Sequence, residues 1–460
     1  MHRTSVLLAA SVLSAASIIG IPAQAEPSCA RTVPVANTAE LQKALTGSKP
    51  GDCVVAADGN YSAVTVTAKE VTISARNLGK AVFTSGSLQL KQSVDTTLSG
   101  FTWTSGGNIM FTDCVGCRIT RWTFPKRSGG GELIDFAGSK NDRNRIDHSD
   151  FGPRGQKGRY IYVRGGKPTL ATRTQIDHNH FHDVGSGPQG GECIVLGGVG
   201  AWGDYQNTFS VVEHNLFTRC DGDAEVISTK ASSNIIRHNT VRDSKGQIVL
   251  RAGNKNQVYG NVILGWNKEG AGGIRIHEED HLIYNNYVET KDAPLIVGGG
   301  TPRGPGFSHA QVFRPKIVNN TFIGRDDGVH IGQSGRLPVV DMTFANNVVR
   351  AHAGKVVNVK TTPTRPIYVS SILHPQGSAA AGITGPAFLV ADPKFARSGE
   401  LFKLADGSPA VDKGSTAYEF VTVDVDMQAR AAHDIGADER STAPESYRPL
   451  TAADVGPLAP

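Results

Sequence analysis

The sequence predicts an all-β chain wound as a parallel β-helix, with a short capping helix at its N-terminal end and an irregular C-terminal extension. Three observations carry that prediction. First, a short unit recurs as IDHNHF, VEHNLF, IRHNTV, VYGNVI, IYNNYV, IVNNTF and FANNVV, with its asparagines at Asn179, Asn215, Asn239, Asn261, Asn286, Asn320 and Asn347. Second, the spacings are 36, 24, 22, 25, 34 and 27 residues, and repeats of that order mark stacked supersecondary units. Third, the units are rich in Val, Ile, Phe and Thr, alternate in polarity and are separated by Gly, Asp, Asn and Ser, which is strand-and-turn chemistry. Asn suits the turn because its amide tolerates left-handed backbone and can hydrogen-bond the same amide one coil away, about 4.8 Å along the stack. IDHSDF is a weaker copy with Ser149 in the Asn place. A Greek-key sandwich would space its strands by about 8–12 residues and leave the Asn unexplained.

The elements follow in order. Residues 1–25 read as a secretory signal: His2 and Arg3 form a basic start, Val6 to Ile21 is apolar, and Ala23-Gln24-Ala25 is a small-x-small cleavage site. Asn37-Thr38-Ala39-Glu40 reads as a capping box before Leu41, Ala44 and Leu45, predicting a short helix over the open end of the solenoid. Residues 26–353 form the solenoid. Beyond Gly354 the Asn unit disappears and prolines punctuate the chain, so residues 354–460 are expected to hold loops, short strands and a closing segment around Asp434-Ile-Gly-Ala-Asp-Glu439.

At 460 residues, with 39% hydrophobic and 19% charged residues, the chain is neither disordered nor a coiled coil. A net charge of +5 is too mild for a nucleic-acid binder. Past the signal no stretch approaches the roughly 20 apolar residues of a membrane span, so a secreted, soluble monomer is expected, extracellular or periplasmic. Export permits disulfides. All six cysteines follow the signal, and Cys29 with Cys53 is the natural N-terminal pair, although sequence alone leaves the connectivity open. Cys114-Val-Gly-Cys117 has no second CxxC to make a zinc site and reads as a turn or a local bridge.

The charge is local. Val226 to Arg275 holds eight lysines and arginines against Asp243 and Glu269, which implies an anionic partner. Lys230, Arg251 and Arg275 are 21 and 24 residues apart, close to one coil each, and should stand on neighbouring strands of one face. Just before Lys230, the carboxylates of Asp221-Gly222-Asp223-Ala224-Glu225 could hold a hard cation or simply form a hydrated turn.

Three stretches, HNLFTRCDGDAEVISTKASSNIIRHNT, QIVLRAGNKNQVYGNVILG and GGIRIHEEDHLIYNNYVE, resemble polysaccharide lyase family six, the alginate lyases and chondroitinase B. The resemblance is densest from Asn215 to Val288 and looser from Val33 to about Val349. It implies a right-handed parallel β-helix that cleaves an acidic polysaccharide, alginate first and dermatan sulfate second, by β-elimination. Lys230 looks like the family's catalytic base, Arg251 like its proposed acid and Arg275 like a substrate-binding arginine. Asp223 and Glu225 fall where the family places calcium ligands, with Glu192 beside them. The calcium-binding Asn expected just before Glu192 is missing from Pro188-Gln189-Gly190-Gly191-Glu192-Cys193.

The chemistry fits these residue types on its own terms. Removing the C5 proton of a uronate builds charge on the adjacent carboxylate, which a nearby cation stabilises as it develops. A lysine base must first be neutral, a state favoured by a neighbouring cation and opposed by a neighbouring carboxylate. Arginine scarcely gives up a proton, so for Arg251 an electrostatic role is at least as plausible as that of a literal acid. His277, two residues after Arg275, and His330 in GVHIG are further candidates to face the groove.

Other motifs carry less. Gly198-Val-Gly-Ala-Trp-Gly203 spells GxGxxG but leads into another strand unit, not a helix. His148, His178, His180 and His182 could suggest zinc but read better as a polar stack at the repeated turn. Rival functions are a β-helix glycoside hydrolase, which would need two positioned carboxyls, and a non-catalytic polysaccharide-binding solenoid.

Overall fold

The computed structural model describes residues 29–125, 130–155, 158–166, 168–185, 190–198, 206–302 and 309–460. The leader expected over residues 1–25 and most of Gly198–Gly203 lie outside the described residues. Each full coil adds one short strand to each of three parallel sheets, which hold 14, 14 and 12 strands among the described residues. In one coil Val211–Glu213 joins the first sheet, Leu216–Cys220 the second and Glu225–Thr229 the third, and each pairs with its counterpart one coil on. Side chains alternate between core and outside. The inward rows stack like on like, with Phe124, Phe151, Phe181 and Phe217 at ring separations of 4.5, 4.7 and 5.0 Å.

The helix Thr38–Thr46 covers the N-terminal end. Asn37 Oδ1 accepts the Glu40 N–H at 3.0 Å, and Glu40 Oε2 accepts the Ala36 N–H at 2.8 Å. Leu41 and Leu45 are buried in the same cluster as Val35 and Val54. A disulfide joins Cys29 and Cys53, with Cα atoms 5.5 Å apart. The other four cysteines are buried free thiols. Wholesale pairing does not occur, because these thiols are taken into the core: Cys114 Sγ donates to Leu90 O at 3.0 Å, and Cys117 Sγ and Cys220 Sγ donate to Ser93 O and Phe181 O at 3.4 Å.

The repeated asparagines form a ladder at the corner between the first and second sheets. From Asn215 to Asn347 each rung's Oδ1 accepts both the backbone N–H and the side-chain Nδ2–H of the rung before it, at 3.0–3.2 Å. Ser149 starts the ladder by donating its N–H to Asn179, and Ser371 ends it by accepting from Asn347. One detail of the sequence expectation is corrected. The left-handed residue is the one before each rung: His148, His178, His214, His238, Gly260, Asn285, Asn319 and Asn346, with φ of 47–62°. The four histidines stack at 4.7, 5.1 and 5.3 Å. The expected stack thus keeps His148 and His178 but recruits His214 and His238, while His180 and His182 belong to a strand of the second sheet.

The C-terminal boundary also shifts. The sheets run on past residue 353 through Val357–Val359, Ile367–Val369 and Ser371–Pro375 to Phe388–Val390. After the hairpin Phe395–Ser398 and Leu401–Leu404, the chain does not stop at the open end but turns back along the ladder corner. Asn346 O accepts the Gly436 N–H, Tyr447 OH donates to His238 O, the Gly456 N–H donates to His178 O, and Pro460 O meets His148 Nε2. The strap is anchored by Arg430, fully buried against Glu439, Asn285 and the carbonyls of Gly436 and Ala437. Among the described residues no helix is long and apolar enough to cross a membrane.

Candidate active site

The third sheet gathers the predicted residues. Thr229 pairs with Leu250 and Leu250 with Ile276, so Lys230, Arg251 and His277 follow at one level on successive coils. The backbone holds that level, since Arg251 N–H donates to Thr229 O at 3.0 Å and His277 N–H to Leu250 O at 2.8 Å. Arg275 pairs with Val249, two residues before Arg251 and therefore on the same face. The predicted cation column is real in position.

A bulge shapes its acidic edge. The register slips between Glu225 and Ile227, so Glu225 stands opposite Gln247 while Ile227 opposes Ile248. Such an extra residue re-aims a side chain. Glu225 Oε1 here accepts from Arg275 NH2 at 3.0 Å and Arg251 NH1 at 3.3 Å. Glu192 Oε1 accepts from Lys230 Nζ at 3.5 Å, and its Oε2 from Arg159 Nε at 3.2 Å. Both glutamates are buried, and Lys230 keeps only 12% of its side chain exposed.

The expected calcium set does not assemble. Asp223 Oδ2 is taken by the Gly190 N–H at 2.6 Å, and Glu192 and Glu225 are committed to cations of the chain. The convergent groups of metal-ligating side chains among the described residues lie elsewhere. Calcium needs about 6–8 oxygen ligands, and a dication at Glu225 would face two guanidinium groups. As arranged, these residues do not fit it.

His277 is also corrected. It occupies the expected row but is only 1% exposed. His309 stacks on its ring at 4.3 Å, and the ring fills the space where a Cβ on Gly298 would lie 2.2 Å away. Burial, then the charges of His309, Arg275 and Arg251, hold His277 well below the usual histidine range. Burial, then Arg251 and Arg275, push His309 down to about 4. Both rings are neutral at pH 7. His330 stands level with Ile296 and Arg275, two coils beyond Arg275, with Nε2 2.7 Å from Asp327 Oδ2.

What distinguishes this face is unmet hydrogen bonding. Glu225 Oε2, Ser228 Oγ, Gln247 Oε1, Arg251 Nε, Arg275 Nε and His277 Nδ1 are all buried without a hydrogen-bond partner. Each such atom costs about 1–3 kcal/mol, so six on three successive coils need a cause, and a polar ligand supplies one.

Sequence reasoning missed the N-terminal side of the groove. Arg164 continues the level of Lys230 two coils earlier, through Val163, Leu196 and Thr229. Its guanidinium lies 3.9 Å from the centre of the Tyr162 ring and is held by Asp135 at 2.7 and 2.8 Å. With Gly198 these residues line a cavity of about 440 Å³. No motif marks them.

Residues 35–370 match the chondroitinase B family profile, nearly three-quarters of the chain. The chain belongs to the chondroitinase B family. Among solved structures it resembles a mannuronic acid specific polysaccharide family 6 lyase from human gut microbiota, with a TM-score of 0.64 and 24% identity over 75% of this chain and 86% of that one. It also resembles the PL6 family alginate lyase AlyGC, with a TM-score of 0.69 and 22% identity over 90% of this chain and 59% of that longer one. A PL6 alginate lyase in complex with a trisaccharide gives a TM-score of 0.64 and 20% identity over 91% and 98%. No protein of curated function matches. At these identities the likeness to solved structures establishes the fold that this family member shares with them.

Proposed function

We propose that the protein is an exported polysaccharide lyase that cleaves a uronate polymer, alginate before dermatan sulfate, by β-elimination at Lys230. The observation that carries this reading is the coincidence of the cation row with six unpaired polar atoms. Family membership and the oligosaccharide-bound alginate lyases among its structural relatives support the substrate class.

In this reading Lys230 Nζ, having released its own proton to water, takes the C5 proton, and Glu192 beside it holds the amine in place. The electron pair left at C5 spreads onto the carboxylate, where Arg251 stabilises it as it develops, while Arg275 clamps that carboxylate in ground and transition states alike. The pair then forms the C4–C5 double bond as the C4–O bond breaks, and the leaving oxygen takes a proton from water. Lys230 and water thus share the acid and base work, while Arg251 acts by its charge.

The two arginines make a metal unnecessary, so exhaustive chelation is expected to leave turnover unchanged. Loss of activity restored by Ca²⁺ would contradict this. The direct test follows the ultraviolet absorbance of unsaturated uronyl ends with alginate blocks, dermatan sulfate, pectate and hyaluronan. Alginate is expected to give the largest signal, and silence with all four rejects the lyase. For export, the secreted protein is expected to begin at Glu26, which N-terminal sequencing checks.

A further inference from the structure

A second cluster lies on another face of the solenoid, on the second sheet. Asp150 pairs with His180 and Phe151 with Phe181. Because both phenylalanines enter the core, Asp150, His180 and His182 project outward together. His180 Nδ1 lies 3.2 Å from Asp150 Oδ1, and His182 Nε2 lies 3.3 Å from Asp150 Oδ2. One ligand atom from each residue falls within 4.8 Å of the others.

We propose that Asp150, His180 and His182 form a binding site for a divalent transition metal, with zinc the best match. Zinc bonds of about 2.0–2.1 Å to His nitrogen and carboxylate oxygen place tetrahedral neighbours roughly 3.3 Å apart, and each histidine nitrogen already lies at 3.2–3.3 Å from one oxygen of Asp150. The outer shell is also in place. The other nitrogen of His182, Nδ1, is 2.8 Å from Asp183 Oδ2, and Arg219 grips that carboxylate at 2.5 and 3.0 Å. The other nitrogen of His180, Nε2, is 3.4 Å from Thr218 Oγ1. A carboxylate behind the histidine is the arrangement that fixes a metal-binding tautomer. Gly152, level with His182, leaves the ring its room, because a Cβ there would lie 2.9 Å from ring atoms.

Each of the three side chains is 18–27% exposed, so an ion can enter and a water can complete its shell. The other His and Asp cluster, His148, Asp177 and His178, is differently committed. His148 uses one nitrogen on Asp147 and the other on Pro460 O, and its ring is a rung of the stack. The metal would tie two neighbouring coils together without touching the groove.

Untagged full-length protein, titrated with Zn²⁺ and separately with Co²⁺, tests the site. One zinc per chain is expected, with the visible absorption of tetrahedral Co²⁺ and shifts of the His180 and His182 imidazole NMR signals. His180→Ala with His182→Ala should abolish both binding and spectrum, and Asp183→Asn should weaken zinc binding by about 10–100-fold. No uptake by the wild type, meaning an ion-paired cluster only, overturns the proposal. So does zinc binding that survives in the double variant or leaves the two imidazole signals unmoved.

Discussion

Two edges of the same coils treat polar groups in opposite ways. At the corner between the first and second sheets, every Asn rung has its amide bonded to the next, and the ladder is closed by serine at both ends. On the outer face of the third sheet, within the span of that ladder, six buried polar atoms from Glu225 to His277 have no partner. The backbone repeat is the same in both places, so the difference lies in the side chains. Where each coil repeats its neighbour, hydrogen bonds close and the solenoid gains stability. Where coils differ, as Thr229-Lys230, Leu250-Arg251 and Ile276-His277 do, charge and unmet bonding accumulate, and binding becomes possible at a cost to stability.

The contrast can be broken most sharply at Lys230. In this account Lys230→Ala lowers turnover by about 10²–10⁴ and leaves the melting temperature nearly unchanged. Normal turnover in the folded variant would remove Lys230 as the base. The ladder should respond in the opposite sense. Asn261→Ala strips the acceptor from the Asn239 N–H and Nδ2–H, and the donor from Ile236 O, all in the interior. Denaturant unfolding should register a loss of about 2–4 kcal/mol, one to two unsatisfied groups' worth, with turnover preserved well below the melting point.

Arg275→Ala sharpens the groove side. A carboxylate clamp acts on ground and transition states alike, so KM should rise about tenfold with kcat little changed. A fall in kcat alone would assign Arg275 to the transition state.

A pH-dependent effect is expected in the strap. Asp424, Asp426 and Asp438 converge, and burial raises Asp438 to about 7 and Asp426 to about 6, although Lys403 opposes the shift at Asp426. Asp438 thus binds its proton more tightly folded than unfolded, and its contribution to stability is lost as pH rises from about 4 to 7. Asp438→Asn should melt with the wild type near pH 4 and increasingly above it up to pH 7, with a plateau beyond. An equal difference at all pH values would contradict the buried acid.

Much of this was legible in the sequence, for a physical reason. The Asn rungs keep a recognisable motif through coils of 22 to 36 residues, and the Lys230, Arg251 and Arg275 spacing lies where coils are short, so counting residues there counts coils. Arg164 escaped because Val163, Leu196 and Thr229 are paired across 33-residue coils, whereas Thr229 and Leu250 are 21 apart. The burial of His277 depends on His309, which arrives from a later loop. The returning strap is read only from long-range contacts such as Tyr447 OH to His238 O, and its polar, proline-rich sequence carries no period to announce them.

The central claim is that the cation-lined face of the third sheet performs elimination. Mass spectrometry of the products from a defined alginate oligosaccharide tests it most directly. Elimination predicts two fragments whose masses sum to that of the substrate, whereas a sum larger by one water would show hydrolysis and contradict the account.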